Sequence, residues 1–253
     1  MSEEILPGAL YVVSTPIGNL DDITRRAIHI LKHVDLIAAE DTRRTRLLLN
    51  HLSIDQTLTS YHSYNENRRV PDLLRKLLSG QAVALVTDAG TPGISDPAFQ
   101  MVREAIDHGI RVIPVPGASA VLPALVLSGL PMERFVFEGF LPVKKGRRSR
   151  LEDLARQPRT IVLFESPHRL RRTLQDLESA LGDRQVAVVR EITKKFEEVS
   201  RGTLSEARKS LEQRAPRGEY VLVVAGCSSK RQSTNASPAR FRSEKDGGNC
   251  HEC

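Results

Sequence analysis

Six short polar clusters carry most of the residues in this chain that could do chemistry. They are Thr15-Pro-Ile-Gly-Asn19, Glu40-Asp-Thr-Arg-Arg44, Asp88-Ala-Gly-Thr-Pro92, Pro116-Gly-Ala-Ser119, Glu165-Ser-Pro-His-Arg169 and Glu191-Ile-Thr-Lys-Lys195. Each sets hydroxyls, carboxylates or cations among small, turn-forming residues, which suits a loop whose backbone approaches a ligand closely. Glu40, Asp41, Asp88, Glu165 and His168 could each accept a proton from a reacting hydroxyl. Each cluster also has a purely structural reading, with Asp and Ser as helix caps and Pro and Gly as turn formers. Several familiar chemistries are excluded. There is no G-x-G-x-x-G fingerprint, no G-x-x-x-x-G-K-[ST], no G-x-S-x-G and no H-E-x-x-H. All three cysteines, Cys227, Cys250 and Cys253, fall in the last 27 residues, so a cysteine nucleophile in the body of the chain is excluded as well.

The clusters follow apolar runs that read as strands. In the first half these runs are 10–14, 34–39, 57–60, 83–87 and 110–115. Between them lie helical patterns. One is capped by Asp21 or Asp22 and runs to His33. Others span 43–51 and 65–79, and one starts at Asp96-Pro97 and ends at His108-Gly109. This alternation predicts an α/β fold with a mainly parallel, doubly wound sheet. A second unit begins near Arg134, with strands at 135–138, 160–165, 185–190, 196–201 and 220–225 and helices at 166–181 and 203–213. Strands 185–190 and 196–201 are too close in sequence for a parallel crossover, so they form a hairpin and the second sheet is mixed. The expected domains are 1–118 and 119–226, followed by a polar tail, 227–253, too poor in apolar side chains to order itself. Loops at the carboxyl ends of parallel strands converge, which predicts a cofactor cleft between the two domains.

Composition narrows the class. The 253 residues are 40% hydrophobic and 27% charged, enough for a sizeable core. No apolar run is long enough to span a membrane, and the acidic start Met-Ser-Glu-Glu has no leader character, so a cytoplasmic protein with no membrane partner is expected. Cys250-His-Glu-Cys253 lacks a fourth nearby ligand, and no metal is expected. The formal net charge is +6, and five of the seven residues from Lys144 to Arg150 are basic. Such a run is either a solvated face or a phosphate-contact surface. Aromatic residues make up 4% and there is no Trp, which speaks against base stacking on aromatic platforms.

The stretches Val13-Ser-Thr-Pro-Ile-Gly-Asn-Leu-Asp-Asp-Ile-Thr24, Ala39-Glu-Asp-Thr-Arg43, Thr87-Asp-Ala-Gly-Thr-Pro92, Pro116-Gly117 and Glu165-Ser-Pro-His-Arg169 closely resemble the ribosomal RNA small subunit methyltransferase I family, within the tetrapyrrole methylase superfamily. The resemblance runs from Leu10 to Gly226. It implies two α/β domains, a homodimer, S-adenosyl-L-methionine as cofactor, and 2′-O-methylation of a cytidine in 16S ribosomal RNA of the small subunit. Carried over by position, it implies cofactor contacts at Ile17, Gly18, Ala89, Gly90, Thr91, Ile94, Ser119, Ala120, Phe164 and Gly202. Asp88 and Glu165 are the first candidates for a catalytic acid–base role. Arg43, Arg44, Lys144, Lys145, Arg147, Arg148, Arg169 and Lys194 are the candidate RNA contacts. Two rival readings are a catalytically impaired RNA-binding member of the fold and a small-molecule methylase of the tetrapyrrole type. The family continues past the last strand with a small helical segment, where this chain runs into its polar tail.

Overall fold

The structure, a computed structural model, describes residues 4–212 and 215–227. They divide into two compact units that meet in sequence between Ser119 and Ala120. The first alternates β1 (Leu10–Val13), α1 (Arg25–His33), β2 (Leu36–Ala39), α2 (Thr42–His51), β3 (Leu58–Ser60), α3 (Glu66–Leu78), β4 (Val83–Val86), α4 (Ala98–Asp107) and β5 (Val112–Val115). Its sheet is parallel throughout, in the order β3-β2-β4-β1-β5.

That order follows from right-handed crossovers. The chain leaves β1 and β2 toward the β3 edge, which puts α1 and α2 on one face. There Ala27, Ile30, Leu31 and Leu49 pack on Tyr11, Val13, Ile37 and Val86. It leaves β3 and β4 in the opposite direction, which puts α3 and α4 on the other face. There Leu73, Leu77, Met101 and Ala105 pack on Leu10, Leu36, Val83 and Leu85. Strands covered on both sides must be apolar on both sides, and all four residues of β2 and of β4 are buried. Burying one such Leu or Ile contributes about 1.5–3 kcal/mol. The loops after β1 and β4 therefore leave neighbouring strands in opposite directions, the arrangement that opens a crevice at a carboxyl edge.

The second unit contains α5 (Val121–Ser128), β6 (Phe135–Phe140), α6 (Arg147–Ala155), β7 (Thr160–Glu165), α7 (Pro167–Leu181), β8 (Gln185–Arg190), β9 (Glu198–Thr203), α8 (Leu204–Ser210) and β10 (Tyr220–Val224). Its sheet is mixed, in the order β6-β7-β10-β8-β9, with β6 and β7 parallel and the other pairs antiparallel. Leu163, Leu170, Leu174, Leu177, Leu204 and Leu222 form its core.

Three sequence expectations shift. Asp21 and Asp22 do not cap α1; they sit in a short 3-10 turn capped by Asn19, and the Thr24 hydroxyl caps α1 by accepting the Ala27 N–H at 3.0 Å. The last hairpin strand starts at Glu198 rather than Phe196, because the Glu197 N–H is drawn into the turn by the Lys194 carbonyl. Cys227, assigned to the tail, is tied down by its N–H to the Gln157 carbonyl at 2.7 Å. The rest of that tail, with Cys250 and Cys253, lies outside the described residues. No helix among the described residues is long and apolar enough to cross a membrane.

Candidate cofactor and substrate site

Four loops leave the carboxyl edge of the first sheet, after β1, β2, β4 and β5, and short polar bonds stitch them together. Thr15 and Gly90 exchange backbone hydrogen bonds, both at 3.0 Å, as an isolated antiparallel bridge. The Thr15 hydroxyl donates to the Thr87 carbonyl at 3.0 Å. The Ser14 and Thr91 hydroxyls meet at 3.0 Å, and Thr91 reaches the Ala118 carbonyl at 3.5 Å. Gly90 has φ +84°, and a Cβ placed there would sit 3.5 Å from Ile17 Cγ2. A Cβ on Gly117 would press within 2.9 Å of Ser14 Cβ, so the β5 loop approaches β1 only because that residue is glycine. At the far end of the β4 loop, both carboxylate oxygens of Asp96 accept the Gly93 N–H, and Oδ1 also accepts the Ala98 N–H at 3.0 Å, closing the turn and starting α4. Burial pushes the Asp96 carboxyl up.

Acidic groups line one side. The Glu40 Oε2 accepts the Thr87 hydroxyl at 2.6 Å and the Asp88 N–H at 3.2 Å. The Asp88 Oδ1 accepts the Asp41 N–H at 3.0 Å, and its Oδ2 pairs with Arg44 at 3.2 Å. Burial, followed by the Glu40 charge, raises the Asp88 pKa. Asp41 behaves oppositely: hydrogen bonds from the Arg43 side chain and backbone hold its carboxyl well below the usual range. A carboxylate with a raised pKa at a partly open sheet edge is suited to taking a proton from a substrate.

The edge brings together Ile17, Gly18, Asp88, Ala89, Gly90 and Thr91, and it carries Arg43 and Arg44 at the start of α2. Ile94 lies further along the β4 loop, and Ser119 ends the β5 loop. Ala120 caps α5 in the second unit. Phe164 lies on β7, its ring edge-on to Phe137 and Phe140. Gly202 lies on β9, with β10 and β8 between it and β7, so the sheet does not bring these two residues together.

Three expected roles change. Glu165 is fully buried: Oε2 accepts the Thr173 hydroxyl at 2.5 Å, and Oε1 takes the Ser166 N–H at 2.8 Å beside Arg169 at 3.4 Å. With both oxygens engaged inside its own unit, Glu165 is a structural acid rather than a proton acceptor for a substrate. Arg147, inside the basic run, is only 7% exposed in its side chain. Its Nε donates to Asp176 at 2.8 Å, Nη1 to the Pro142 carbonyl and Nη2 to the Thr173 hydroxyl, both at 3.0 Å. It braces α6 against α7 and is closed to RNA. Lys194 is held by Glu191 at 3.1 Å and Glu219 at 2.8 Å. These carboxylates raise its pKa against the opposing effect of burial, so its charge is already matched within the protein. Arg169 is partly committed too, to Glu165 and the Leu141 carbonyl. Lys144, Lys145 and Arg148 remain exposed. Sequence reading missed Thr173, which joins Arg147 to Glu165 from the middle of α7, and nothing local in the sequence marks it. Thr15 and Thr87 were within reach, because both stand in the polar motifs.

The family model of the Tetrapyrrole (Corrin/Porphyrin) Methylases matches residues 9–208. Over 221 residues the chain is 52% identical to ribosomal RNA small subunit methyltransferase I of Synechocystis sp., covering 87% of this chain and 79% of that one. Over 237 residues it is 45% identical to the protein of the same name from Haemophilus influenzae, covering 92% and 84%. Among solved structures, uroporphyrin-III C-methyltransferase from Thermus thermophilus, complexed with S-adenosylhomocysteine, aligns with TM-score 0.62 at 20% identity over 86% of this chain and 97% of that one. Diphthine synthase aligns with TM-score 0.65 at 15% identity, over 86% and 90%. These structural likenesses are of fold. The sequence matches go further: the chain belongs to the tetrapyrrole methylase family and, within it, to the ribosomal RNA small subunit methyltransferase I enzymes.

Proposed function

We propose that the chain methylates the 2′-oxygen of a cytidine ribose in 16S ribosomal RNA, with the assembled small subunit as substrate. That substrate would place the enzyme in the cytoplasm. Two things support this reading: roughly half-identity to enzymes of that name, and a carboxyl edge where a glycine-lined loop lies beside the acidic pair Glu40 and Asp88.

The residues present fit S-adenosyl-L-methionine. The β4 loop is built from Ala89, Gly90 and Thr91 and carries no Lys or Arg, as a cationic sulfonium requires, and its φ +84° glycine leaves backbone rather than side chain facing outward. When bound, the cofactor supplies an electrophilic methyl carbon whose bond to sulfur breaks as the bond to the ribose oxygen forms. The residues proposed to hold it are Ile17, Gly18, Ala89, Gly90, Thr91, Ile94, Ser119 and Ala120. Orientation by this preformed edge supplies much of the acceleration, because aligned reactants avoid the entropy of encounter. Asp88, its proton affinity raised by burial and by Glu40, accepts the hydroxyl proton and passes it to water. Arg43, Arg44, Lys144, Lys145 and Arg148 are proposed to contact phosphates.

The family's homodimer is also proposed for this chain. It is supported by α5, which buries Val121, Ala124 and Leu125 but leaves Leu122 58% and Val126 67% exposed. Transfer of labelled methyl from S-adenosylmethionine to undermethylated small subunits, compared with naked RNA, tests the activity. Incorporation at a 2′-oxygen of the subunit supports it, and no incorporation into either substrate by a cofactor-binding protein overturns it.

A further inference from the structure

We propose that the turn between β3 and α3 is a second RNA-contact surface, in which Tyr64 stacks on an unpaired base near the target while Arg68 and Arg69 engage the adjoining backbone. This rests on the RNA reading above.

Three of the four tyrosines, Tyr11, Tyr61 and Tyr220, are buried, whereas Tyr64 is 97% exposed. The turn beneath it is clamped. The Asn65 Oδ1 accepts the His62 backbone N–H at 2.9 Å, which fixes the orientation of the amide. The Asn65 Nδ2 then reaches the Ser60 carbonyl and hydroxyl at 3.3 and 3.1 Å and lies 3.1 Å from the His62 Nε2. The Tyr61 hydroxyl adds an anchor to the Pro97 carbonyl at 3.0 Å. Tyr64 is thus mounted outward on an ordered turn, edge-on to the His62 ring at 6.1 Å.

The polar groups around it are short of acceptors. The His62 Nδ1 is buried with no partner among the described residues. The Arg69 Nε is likewise buried and unpartnered, and neither Arg68 nor Arg69 forms an ion pair among the described residues. Both arginines stand in the first turns of α3, where the positive end of the helix disfavours cations. Cations held at a helix N-terminus without a carboxylate partner are relieved by an anionic ligand. Single-stranded RNA supplies a π-face and phosphates together. A protein surface is a poorer match, because the nearby residues Ser63, Asn67 and Arg68 are exposed and polar.

The turn opens at the carboxyl edge of the same sheet as the Asp88 loop, two strands away in the order β3-β2-β4. Strands β3 and β4 are two spacings, roughly 10 Å, apart, which suits a stacked base close in sequence to the nucleotide being methylated.

The test compares Tyr64→Ala, Tyr64→Leu and Tyr64→Phe. Labelled S-adenosylmethionine and undermethylated small subunits report KM for the subunit, calorimetry reports cofactor affinity, and sedimentation reports oligomeric state. We expect Tyr64→Ala and Tyr64→Leu to raise KM about tenfold and Tyr64→Phe to stay near the parent, with cofactor affinity unchanged in all three. We expect Arg68→Ala with Arg69→Ala to reduce the salt dependence of RNA binding by about one phosphate contact or more. An unchanged KM in Tyr64→Ala overturns the proposal. So does Tyr64→Leu matching Tyr64→Phe, which would mean simple apolar docking, and so does a change in sedimentation, which would mean an interface between copies. If the parent enzyme itself transfers no methyl to RNA, the substrate reading fails and this proposal with it. If the parent is active and Tyr64→Ala is indistinguishable from it, only this proposal fails.

Discussion

Asp88 accepts the backbone N–H of Asp41 at 3.0 Å although 47 residues separate the two. That bond locks the loop after β4 to the start of α2 and holds the Asp88 carboxylate beside Glu40. Replacing Asp88 by Asn keeps an oxygen for the Asp41 N–H and removes the proton acceptor. Methyl transfer should fall by about 10² or more, while calorimetric binding of S-adenosylmethionine persists.

The same substitution has a signature in stability. Burial and Glu40 raise the folded-state pKa of Asp88, so the folded protein binds that proton more tightly than the unfolded chain. The stability from this group is fully present below the ordinary Asp value of about 3.9 and is lost as pH rises through the raised folded value. Asn does not titrate. Urea denaturation from pH 4 to pH 7 should therefore show the Asp88→Asn variant gaining on the parent as pH rises. The exposed Arg44 pair it gives up is worth little.

Gly90→Val should separate cofactor binding from folding. The residue sits at φ +84°, where a side chain costs about 1–2 kcal/mol. Its Cβ would also contact Ile17 and cover the loop backbone. Gly109→Val is the control, at φ +70° with no atom within 4 Å of the added Cβ. Both variants should lose similar stability, and only Gly90→Val should weaken S-adenosylmethionine binding, at least tenfold by calorimetry.

The basic run should divide by burial rather than by charge. Arg147→Ala removes the bonds to Asp176 and to the Thr173 hydroxyl and leaves Asp176 with Arg172 alone, at 3.7 Å, so denaturation should show a loss of about 1.5–3 kcal/mol. Replacing Lys144, Lys145 or Arg148 by Ala should change stability by about 0.5 kcal/mol or less. Each of these three should lower the slope of log affinity for RNA against log salt by about 0.7–0.9.

Tyr61 offers a spectroscopic check on the β3 turn. Burial, more than the nearby Glu66 charge, pushes its hydroxyl up to about 12. An alkaline absorbance titration should show a late phenolate that Tyr61→Phe removes. Because the folded pKa is raised, the stability it contributes is present below about 10 and is lost as pH rises to about 12.

Local information settled a large part of this protein. Continuous apolar runs and period-3.6 patterns place the strands and helices within a few residues, because a strand covered on both faces is apolar throughout and a helix buries one stripe. The short link between β8 and β9 forces a hairpin, and the polar clusters mark the carboxyl edge. What the sequence left open depends on neighbours distant along the chain. Asp88 and Glu165 are both carboxylates at strand ends. One meets Glu40 at a partly open edge, while the other is enclosed by Thr173, Ser166 and Arg169. Arg147 and Arg148 are adjacent and chemically identical, yet helical phase turns the first inward to Asp176 and leaves the second 94% exposed. Tyr64 is one aromatic among few, and only the clamp made by Asn65 shows that it is held outward. A residue's chemistry is written in its type, but its solvation and its partners are set by packing between segments far apart in sequence, and those decide its pKa, its accessibility and its role.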